Sequence, residues 1–104
     1  RISRGLGRVL LAIKGCNQGF WRDDLLQVNG YDERFIGWGA EDKDLCWRLE
    51  LGGVRRQGLL AGALAYHLYH PPAARDRADL NLQRLQDNQK KRRMRCAYGV
   101  DHHC

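Results

Sequence analysis

The chain has 104 residues, of which 43% are apolar and 29% charged, and its formal net charge is +6. This length allows one domain with a modest core, and the composition excludes a disordered chain. No apolar run approaches the roughly 20 residues that a membrane-spanning helix needs.

The first part of the chain is predicted to alternate short elements with glycine-rich loops. Residues 8–14, RVLLAIK, form a short apolar run that is typical of a buried strand. The sequence GCNQGF follows and predicts a tight loop around Asn17. Residues 22–29, RDDLLQVN, are predicted to form a short helix because Asp23 and Asp24 favour a helix N-terminus.

A second helix is predicted from Ala40 to Leu51, behind the glycine-punctuated loop GYDERFIGWG. Leu45 and Leu49 are four residues apart, which gives the segment a helical apolar face. Asp44 and Arg48 have the spacing of an i,i+4 ion pair.

The rest of the chain is predicted to contain two short strands and a long polar helix. The strands are expected at 54–58 and 63–67, and the prolines from Pro71 onwards break the pattern. Residues 75–95 are predicted to be helical and 96–104 a loose tail. The expected apolar stripe of this helix consists of Leu80, Leu82 and Leu85.

The segment Trp38-Gly39-Ala40-Glu41-Asp42 has two interpretations. In the structural one, the acids stabilise a helix N-terminus by about 0.3–1 kcal/mol each through the macrodipole. In the catalytic one, Trp38 offers a flat face to a sugar ring, and a fixed carboxylate beside it accepts a proton from a hydroxyl. The triplet Asp42-Lys43-Asp44 also spells DxD, but we do not interpret it as a metal site, because residues i and i+2 of a helix point to different sides.

Taken in order, the stretches GCNQGF, NGYDE, GWGAED and AYHLYHPP resemble the C-terminal catalytic half of family 2-like GT-A glycosyltransferases. The chain is similar to the galactosyltransferase C-terminal domain type and to the bacterial chondroitin polymerase type. The likeness covers about residues 15–72. It implies an α/β fold, namely the C-terminal half of a GT-A fold with short strands, flanking helices and a long C-terminal helix.

The resemblance also assigns roles to individual residues. Asp42 corresponds to the general base that takes the proton of the acceptor hydroxyl, and Glu41 to the neighbour that orients the acceptor sugar. Trp38 corresponds to the wall of the acceptor site, with Gly39 and Asn17 as further substrate-binding residues.

On the donor side, His67 corresponds to the histidine that completes the coordination of Mn²⁺, or Mg²⁺, together with a DxD motif. Apart from the helical triplet Asp42-Lys43-Asp44, which we do not interpret as a metal site, this chain has no DxD motif. Taken by itself, a histidine in this position is more often a hydrogen-bonded structural residue than a metal ligand.

The implied activity is transfer of a hexose from a nucleotide-diphosphate sugar to a glycan or glycolipid hydroxyl, with inversion and with a metal. The ending YHLYHPP is most similar to bacterial enzymes of lipopolysaccharide and surface-polysaccharide synthesis. We expect a cytoplasmic protein with reduced cysteines, because nothing else in the sequence suggests secretion. Its basic segment favours peripheral contact with anionic lipid at the inner face of the cytoplasmic membrane. The cysteines are Cys16, Cys46, Cys96 and Cys104.

The chain is expected to be a fragment, because it opens at Arg1 and the resemblance places nucleotide-binding units ahead of it. Residues 1–72 are predicted to be the acceptor- and metal-binding part, and residues 73–104 a basic C-terminal helix and tail. The isolated chain is expected to transfer no sugar.

A rival interpretation is a small basic nucleic-acid-binding or zinc-binding module. The run KKRRMR at 90–95 favours contact with phosphate, but the aromatic residues cluster in the acidic loop instead, so we expect no nucleic-acid partner. His67 and His70 would need further zinc ligands, and the spacing to the C-terminal candidates matches no standard site. Those candidates are Cys96, His102, His103 and Cys104.

Overall fold

The computed structural model of the chain describes residues 18–58 and 66–103. Within these ranges, three α-helices precede a short 3-10 helix. The helices are α1 (Arg22–Gln27), α2 (Glu41–Leu51) and α3 (Ala78–Lys90), and the 3-10 helix is Val100–His103.

The expectation of an α/β GT-A fold is wrong, since the described residues form helices and irregular segments and no strand. Residues 54–58, predicted as a strand, find no partner strand among the residues that the structure describes. The chain instead turns back at this point, and the Val54 amide donates to the Leu49 carbonyl at 2.9 Å. The strand predicted at 8–14, and most of the one at 63–67, lie outside the described residues.

Helix α1 begins where the sequence predicts and ends two residues earlier. The first turn carries Asp23 and Asp24, which interact favourably with the positive end of the helix dipole. After Gln27 the chain reaches Asn29 and Gly30, both left-handed with φ near +67° and +68°. Left-handed backbone cannot continue a right-handed helix, so α1 ends before this pair.

Helix α2 begins at Glu41 and ends at Leu51, as its apolar spacing and glycine stop predict. Its acidic first turn is stabilised by the helix dipole. At the other end, Gly53 adopts a φ of +93°, and its amide donates to the Glu50 carbonyl at 3.0 Å. This closing turn uses carbonyls that the last helical turn leaves free.

The apolar core lies between α2 and the end of α1. Its buried members are Val28, Leu45 and Leu49. The four-residue spacing of the two leucines predicts that both lie on the buried face of α2. Burying each such side chain stabilises the fold by about 1.5–3 kcal/mol. Partly buried side chains around this core are Phe20, Leu25, Val54 and Met94.

A buried ion pair joins α2 to the loop after α1. Arg48 Nε donates to Asp44 Oδ2 at 2.8 Å, and both side chains are fully buried, which confirms the predicted i,i+4 pair. The guanidinium also donates to the carbonyls of Val28 at 2.7 Å and Gly30 at 2.8 Å. Because its charge and its donors are satisfied, Arg48 is tolerated at the centre of the molecule.

Helix α3 packs against α2 with two asparagines and one leucine, Leu85, of the predicted stripe. Its buried residues are Asn81, Leu85 and Asn88. Leu80 and Leu82 are 54% and 48% exposed. Asn81, Leu85 and Asn88 are spaced so that they share one helical face, as the residues of a leucine stripe would. The two asparagines attach the helix to its neighbours by hydrogen bonds.

Asn88 links the two acidic centres of the fold. Its amide nitrogen donates to Asp44 Oδ1 at 2.9 Å and to Asp32 Oδ2 at 3.3 Å. Arg34 holds the other side of Asp32, with Nε at 3.0 Å and Nη2 at 2.8 Å from the two carboxylate oxygens. The NGYDE loop, α2 and α3 therefore share one network of hydrogen bonds.

The C-terminal segment is not the predicted loose tail, because it docks on the NGYDE loop. Asn29 donates to the Cys96 carbonyl at 2.9 Å and accepts from the Asp101 amide at 3.0 Å. The Glu33 amide donates to the Tyr98 carbonyl at 2.8 Å. The first two of these hydrogen bonds satisfy the buried side chain of Asn29. Composition alone could not reveal this docking.

No described helix has the length and apolar character that a membrane span requires. Cys46 and Cys96 are buried free thiols.

Candidate active site

The loop before α2 has an unusual backbone. Gly37, Gly39 and Ala40 adopt positive φ values of 76°, 118° and 71°. Two of these positions are glycines, which adopt such angles readily. Ala40 is not, and a left-handed non-glycine residue costs on the order of 1–3 kcal/mol. The bend is thus maintained by its surroundings, and it connects Trp38 directly to the acidic first turn of α2.

Trp38 is a partly open aromatic surface. Its side chain is 43% exposed, although it belongs to a loop that is anchored on both sides. The guanidinium carbon of Arg75 lies 3.9 Å from the ring centroid, a cation–π contact over one face. A planar ligand can therefore stack on the part of the ring that Arg75 leaves open.

Asp42 lies in the first turn of α2 with its carboxylate half-buried. Its Oδ1 accepts from the Tyr31 hydroxyl at 3.5 Å, at the long limit for such a bond. Burial and the charge of Asp42 raise the pKa of Tyr31, so the phenol stays protonated and remains a donor. This carboxylate is thus held weakly, with room for a second donor.

Glu41 precedes Asp42 and presents an unsatisfied oxygen. Its Oε2 is buried and has no hydrogen-bond partner among the described residues. Leaving a buried acceptor unpaired costs about 1–3 kcal/mol. Because the oxygen is closed to solvent, a ligand hydroxyl could donate to it and remove that cost only after the Glu41 side chain turns outward.

Asp44, the second acid of the apparent DxD, faces the opposite way. Its carboxylate is fully buried and engaged by Arg48 and Asn88, whereas that of Asp42 is half-buried beside Tyr31. The two acids therefore do not converge on one ion, which agrees with our interpretation of the triplet as ordinary helix sequence.

His67 is exposed and forms a pair with His70. Their Nε2 atoms are 2.9 Å apart and their ring centroids 5.0 Å apart. Among residues 18–58 and 66–103, no group of three or more histidines, cysteines and acids is placed to hold a metal ion. Two imidazoles alone do not complete a Mn²⁺ or Mg²⁺ site, so the residues described here do not fit such an ion by themselves.

The structure thus brings four predicted site residues together at the start of α2: Trp38, Gly39, Glu41 and Asp42. His67 has His70 as its hydrogen-bond partner, and Asn17 lies outside the described residues.

Two residues of the site were not predicted. Arg75 stacks on Trp38, and Asn81 donates to the carbonyls of Ile36 and Trp38 at 2.9 and 3.1 Å. The spacing of Asn81 and Asn88, seven residues apart on one helical face, was a signal that could have been noticed. Nothing in the sequence pairs Arg75 with Trp38, because that contact depends on how α3 packs.

The basic run at 90–95 is in large part ion-paired. Lys91 and Arg93 approach Asp87 at 3.2 and 3.3 Å, and Arg95 approaches Asp101 at 3.4 Å. These pairs are exposed and individually weak.

Comparison with known proteins identifies a family. A family model described as the N-terminal domain of galactosyltransferase matches residues 11–71, which is more than half of the chain and includes every predicted site residue. No significant match was found among curated proteins or among solved structures. The match supports a glycosyltransferase-type domain, which is the coarser part of the resemblance seen in the sequence. The chain belongs to the family described as the N-terminal domain of galactosyltransferase.

Proposed function

We propose that this chain forms the acceptor side of a glycosyltransferase that moves a hexose from a nucleotide-diphosphate sugar to a hydroxyl of a glycan or glycolipid. The observation that carries the proposal is the cluster at the start of α2. It combines an open aromatic face, a weakly held carboxylate and an unpaired carboxylate oxygen, inside the region that the family model covers.

Asp42 is the proposed general base. As the acceptor oxygen attacks the anomeric carbon, the O–H proton passes to a carboxylate oxygen of Asp42, and the bond to the diphosphate breaks with its electron pair leaving on the diphosphate. Direct displacement from the opposite side inverts the anomeric centre. The long contact to Tyr31, 3.5 Å, leaves the carboxylate able to accept this second donor.

Glu41 and Trp38 are the proposed binding residues for the acceptor. Once the Glu41 side chain turns out of its buried position, a sugar hydroxyl donating to Oε2 would satisfy an oxygen that the described residues leave without a partner. The C–H face of the sugar would stack on the exposed part of the Trp38 ring. Gly39 lets the acceptor approach the backbone closely, and Asn17 is proposed as a further binding residue.

On the donor side, we propose that His67 contributes one ligand to Mn²⁺ or Mg²⁺. When bound, such an ion neutralises the diphosphate leaving group. Because the described residues supply no complete ligand set, the remaining ligands are assigned to residues elsewhere. We also propose a role in bacterial surface-polysaccharide or lipopolysaccharide synthesis, at the inner face of the cytoplasmic membrane.

Saturation-transfer NMR on the 104-residue chain tests the acceptor site. The probes are methyl β-galactoside and methyl β-N-acetylglucosaminide, each at millimolar concentration. We expect saturation transfer to at least one probe, lost in Trp38→Ala and retained in Trp21→Ala. Trp21 is a matched control because it is 81% exposed and outside the site. Equal signals from the two variants would contradict the proposal.

A further inference from the structure

We propose that residues 75–81, here called the clamp segment, position Trp38, with Asn81 and Arg75 as the positioning residues. The inference rests on the proposed acceptor site and adds to it a group of residues that decides how Trp38 is presented. The clamp segment contains the start of α3 and the three residues before it.

Asn81 holds the backbone on both sides of Gly37. Its single amide nitrogen has two hydrogens, and they go to the carbonyls of Ile36 at 2.9 Å and Trp38 at 3.1 Å. The side chain is buried, with 2% of its surface exposed, so water does not compete for these bonds. Both donors of the side-chain nitrogen are thus committed to the Trp38 loop.

The clamp segment also fills the space beside the two glycines that flank Trp38. A Cβ atom added at Gly37 would lie 3.5 Å from the side chain of Arg77. One added at Gly39 would lie 3.8 Å from the Cα atom of Ala78. The loop therefore packs directly on the start of α3, and its left-handed backbone has a physical support.

Arg75 completes the arrangement from above the ring. Its guanidinium carbon, 3.9 Å from the ring centroid, occupies one face of Trp38. An acceptor sugar then has only the opposite face for stacking, unless it displaces the arginine. This makes Arg75 a determinant of which acceptors fit, although it does not need to touch the reacting atoms.

The arrangement explains why α3 matters to a site whose chemistry lies on α2. Asn81 binds the loop, while Asn88, two turns along the same helix, binds Asp44 in α2. The position of Trp38 relative to Asp42 is consequently set by how α3 packs against α2.

Nitrogen–proton NMR of the tryptophan indoles tests the clamp without any sugar. The chain has three tryptophans, and Trp38→Phe assigns the signal of Trp38. Asn81→Asp removes both donors at almost constant shape, and Gln83→Glu is the matched control on an exposed position of the same helix. We expect the first variant to shift or broaden the Trp38 signal and the second to leave it unchanged.

Circular dichroism shows whether Asn81→Asp folds. If it does not, Arg75→Gln is the second variant that tests the clamp. It removes the cation–π contact, so we expect a shifted Trp38 indole signal. Arg55→Gln, which removes an exposed arginine outside the clamp segment, should leave it in place. An unchanged Trp38 signal in both Asn81→Asp and Arg75→Gln would overturn the clamp.

Titration of the same variants with methyl β-galactoside connects the clamp to the acceptor. We expect Asn81→Asp to weaken the affinity roughly tenfold, from the loss of hydrogen bonds that orient the loop, and Gln83→Glu to bind as the parent does. A shifted Trp38 signal with unchanged affinity would overturn the positioning role. If the parent chain binds no probe while the clamp variants still shift the Trp38 signal, the acceptor proposal fails and the clamp stands.

Discussion

At the scale of single residues, two neighbouring acids of one helix turn have different environments. Asp42 has one long contact with Tyr31, whereas Asp44 is fully buried with Arg48. The difference arises because residues two apart on a helix point to different sides. Asp44 therefore belongs to the fold, and Asp42 is left available for chemistry.

Under the proposed function, Asp42→Asn is expected to slow sugar transfer strongly. The change keeps the shape of the side chain and removes its basicity, so we expect transfer to fall by about 10²–10⁴-fold. Binding of the nucleotide-sugar, measured by calorimetry, should stay within a factor of about two, because Asp42 acts on the acceptor side. Lys43→Gln, at the exposed neighbour, is the control. A full rate in Asp42→Asn would exclude it as the base.

Asp32 should make the fold sensitive to acid. Burial alone would raise its pKa, but the hydrogen bonds and charge of Arg34 and the bond from Asn88 outweigh burial and lower it. A carboxyl whose pKa is lower in the folded state stabilises the fold above its unfolded pKa of about 3.9. That contribution is lost as the pH falls through the folded pKa.

Urea unfolding between pH 6 and pH 3 measures this dependence. We expect the free energy of unfolding to decrease as the pH falls below about 4. In Asp32→Asn the decrease should be smaller, since the variant has no carboxyl to protonate at this position. Parallel curves for the parent and the variant would show that Asp32 contributes nothing to the dependence.

At the scale of elements, the helices were easier to predict than the contacts between them. Acids at the starts of α1 and α2, and glycines behind them, locate both helices closely. For α3 the prediction of 75–95 was too long at each end, since the helix is Ala78–Lys90. The strand at 54–58 was wrong because a strand depends on a partner, which local sequence does not specify.

In the candidate site too, residues that are neighbours in the sequence were predicted, whereas residues brought in by packing were not. The adjacency of Trp38, Glu41 and Asp42 follows from the chain itself, so the sequence could predict it. The contributions of Arg75 and Asn81 come from more than 30 residues further along and exist only through the packing of α3. Residues that act through tertiary contacts are those that motif reasoning could not find.

Breaking the buried pair of α2 should destabilise the whole molecule. Arg48→Met leaves Asp44 charged in the core and two carbonyls without their donor, so we expect a loss of about 3–5 kcal/mol in the free energy of unfolding. Arg56→Met is the matched control, because Arg56 pairs with Glu50 where both side chains are 40% exposed. Its loss should be below about 1 kcal/mol. Equal effects in urea unfolding would contradict this account of the core.

At the scale of the whole molecule, the loop between α1 and α2 attaches the C-terminal segment to the core. Asn29 and Glu33 of this loop bind the backbone of the C-terminal segment. The same loop reaches the core through Arg48, which donates to the Gly30 carbonyl. The C-terminal segment is thus part of the folded unit, and its undocking should destabilise α2.

Gly99→Ala tests this integration, because a Cβ atom at Gly99 would overlap the carbonyl oxygen of Asn29. The overlap involves backbone, so the C-terminal segment must move and the bonds around Asn29 must break. We expect a loss of about 2–4 kcal/mol in the free energy of unfolding. Hydrogen exchange should also be faster at the amides of Glu33 and Val100, which are bonded to Tyr98 and Asn29.

Gly19→Ala provides the control for that variant. A Cβ atom at Gly19 has no neighbour within 4 Å, so the same chemical change should leave stability within about 0.5 kcal/mol of the parent. If Gly99→Ala behaves like Gly19→Ala, the C-terminal segment does not dock as the structure has it. If only Gly99→Ala accelerates exchange, and the acceleration extends to the amide of Asp44 in α2, then the C-terminal segment supports the helix that carries the candidate base.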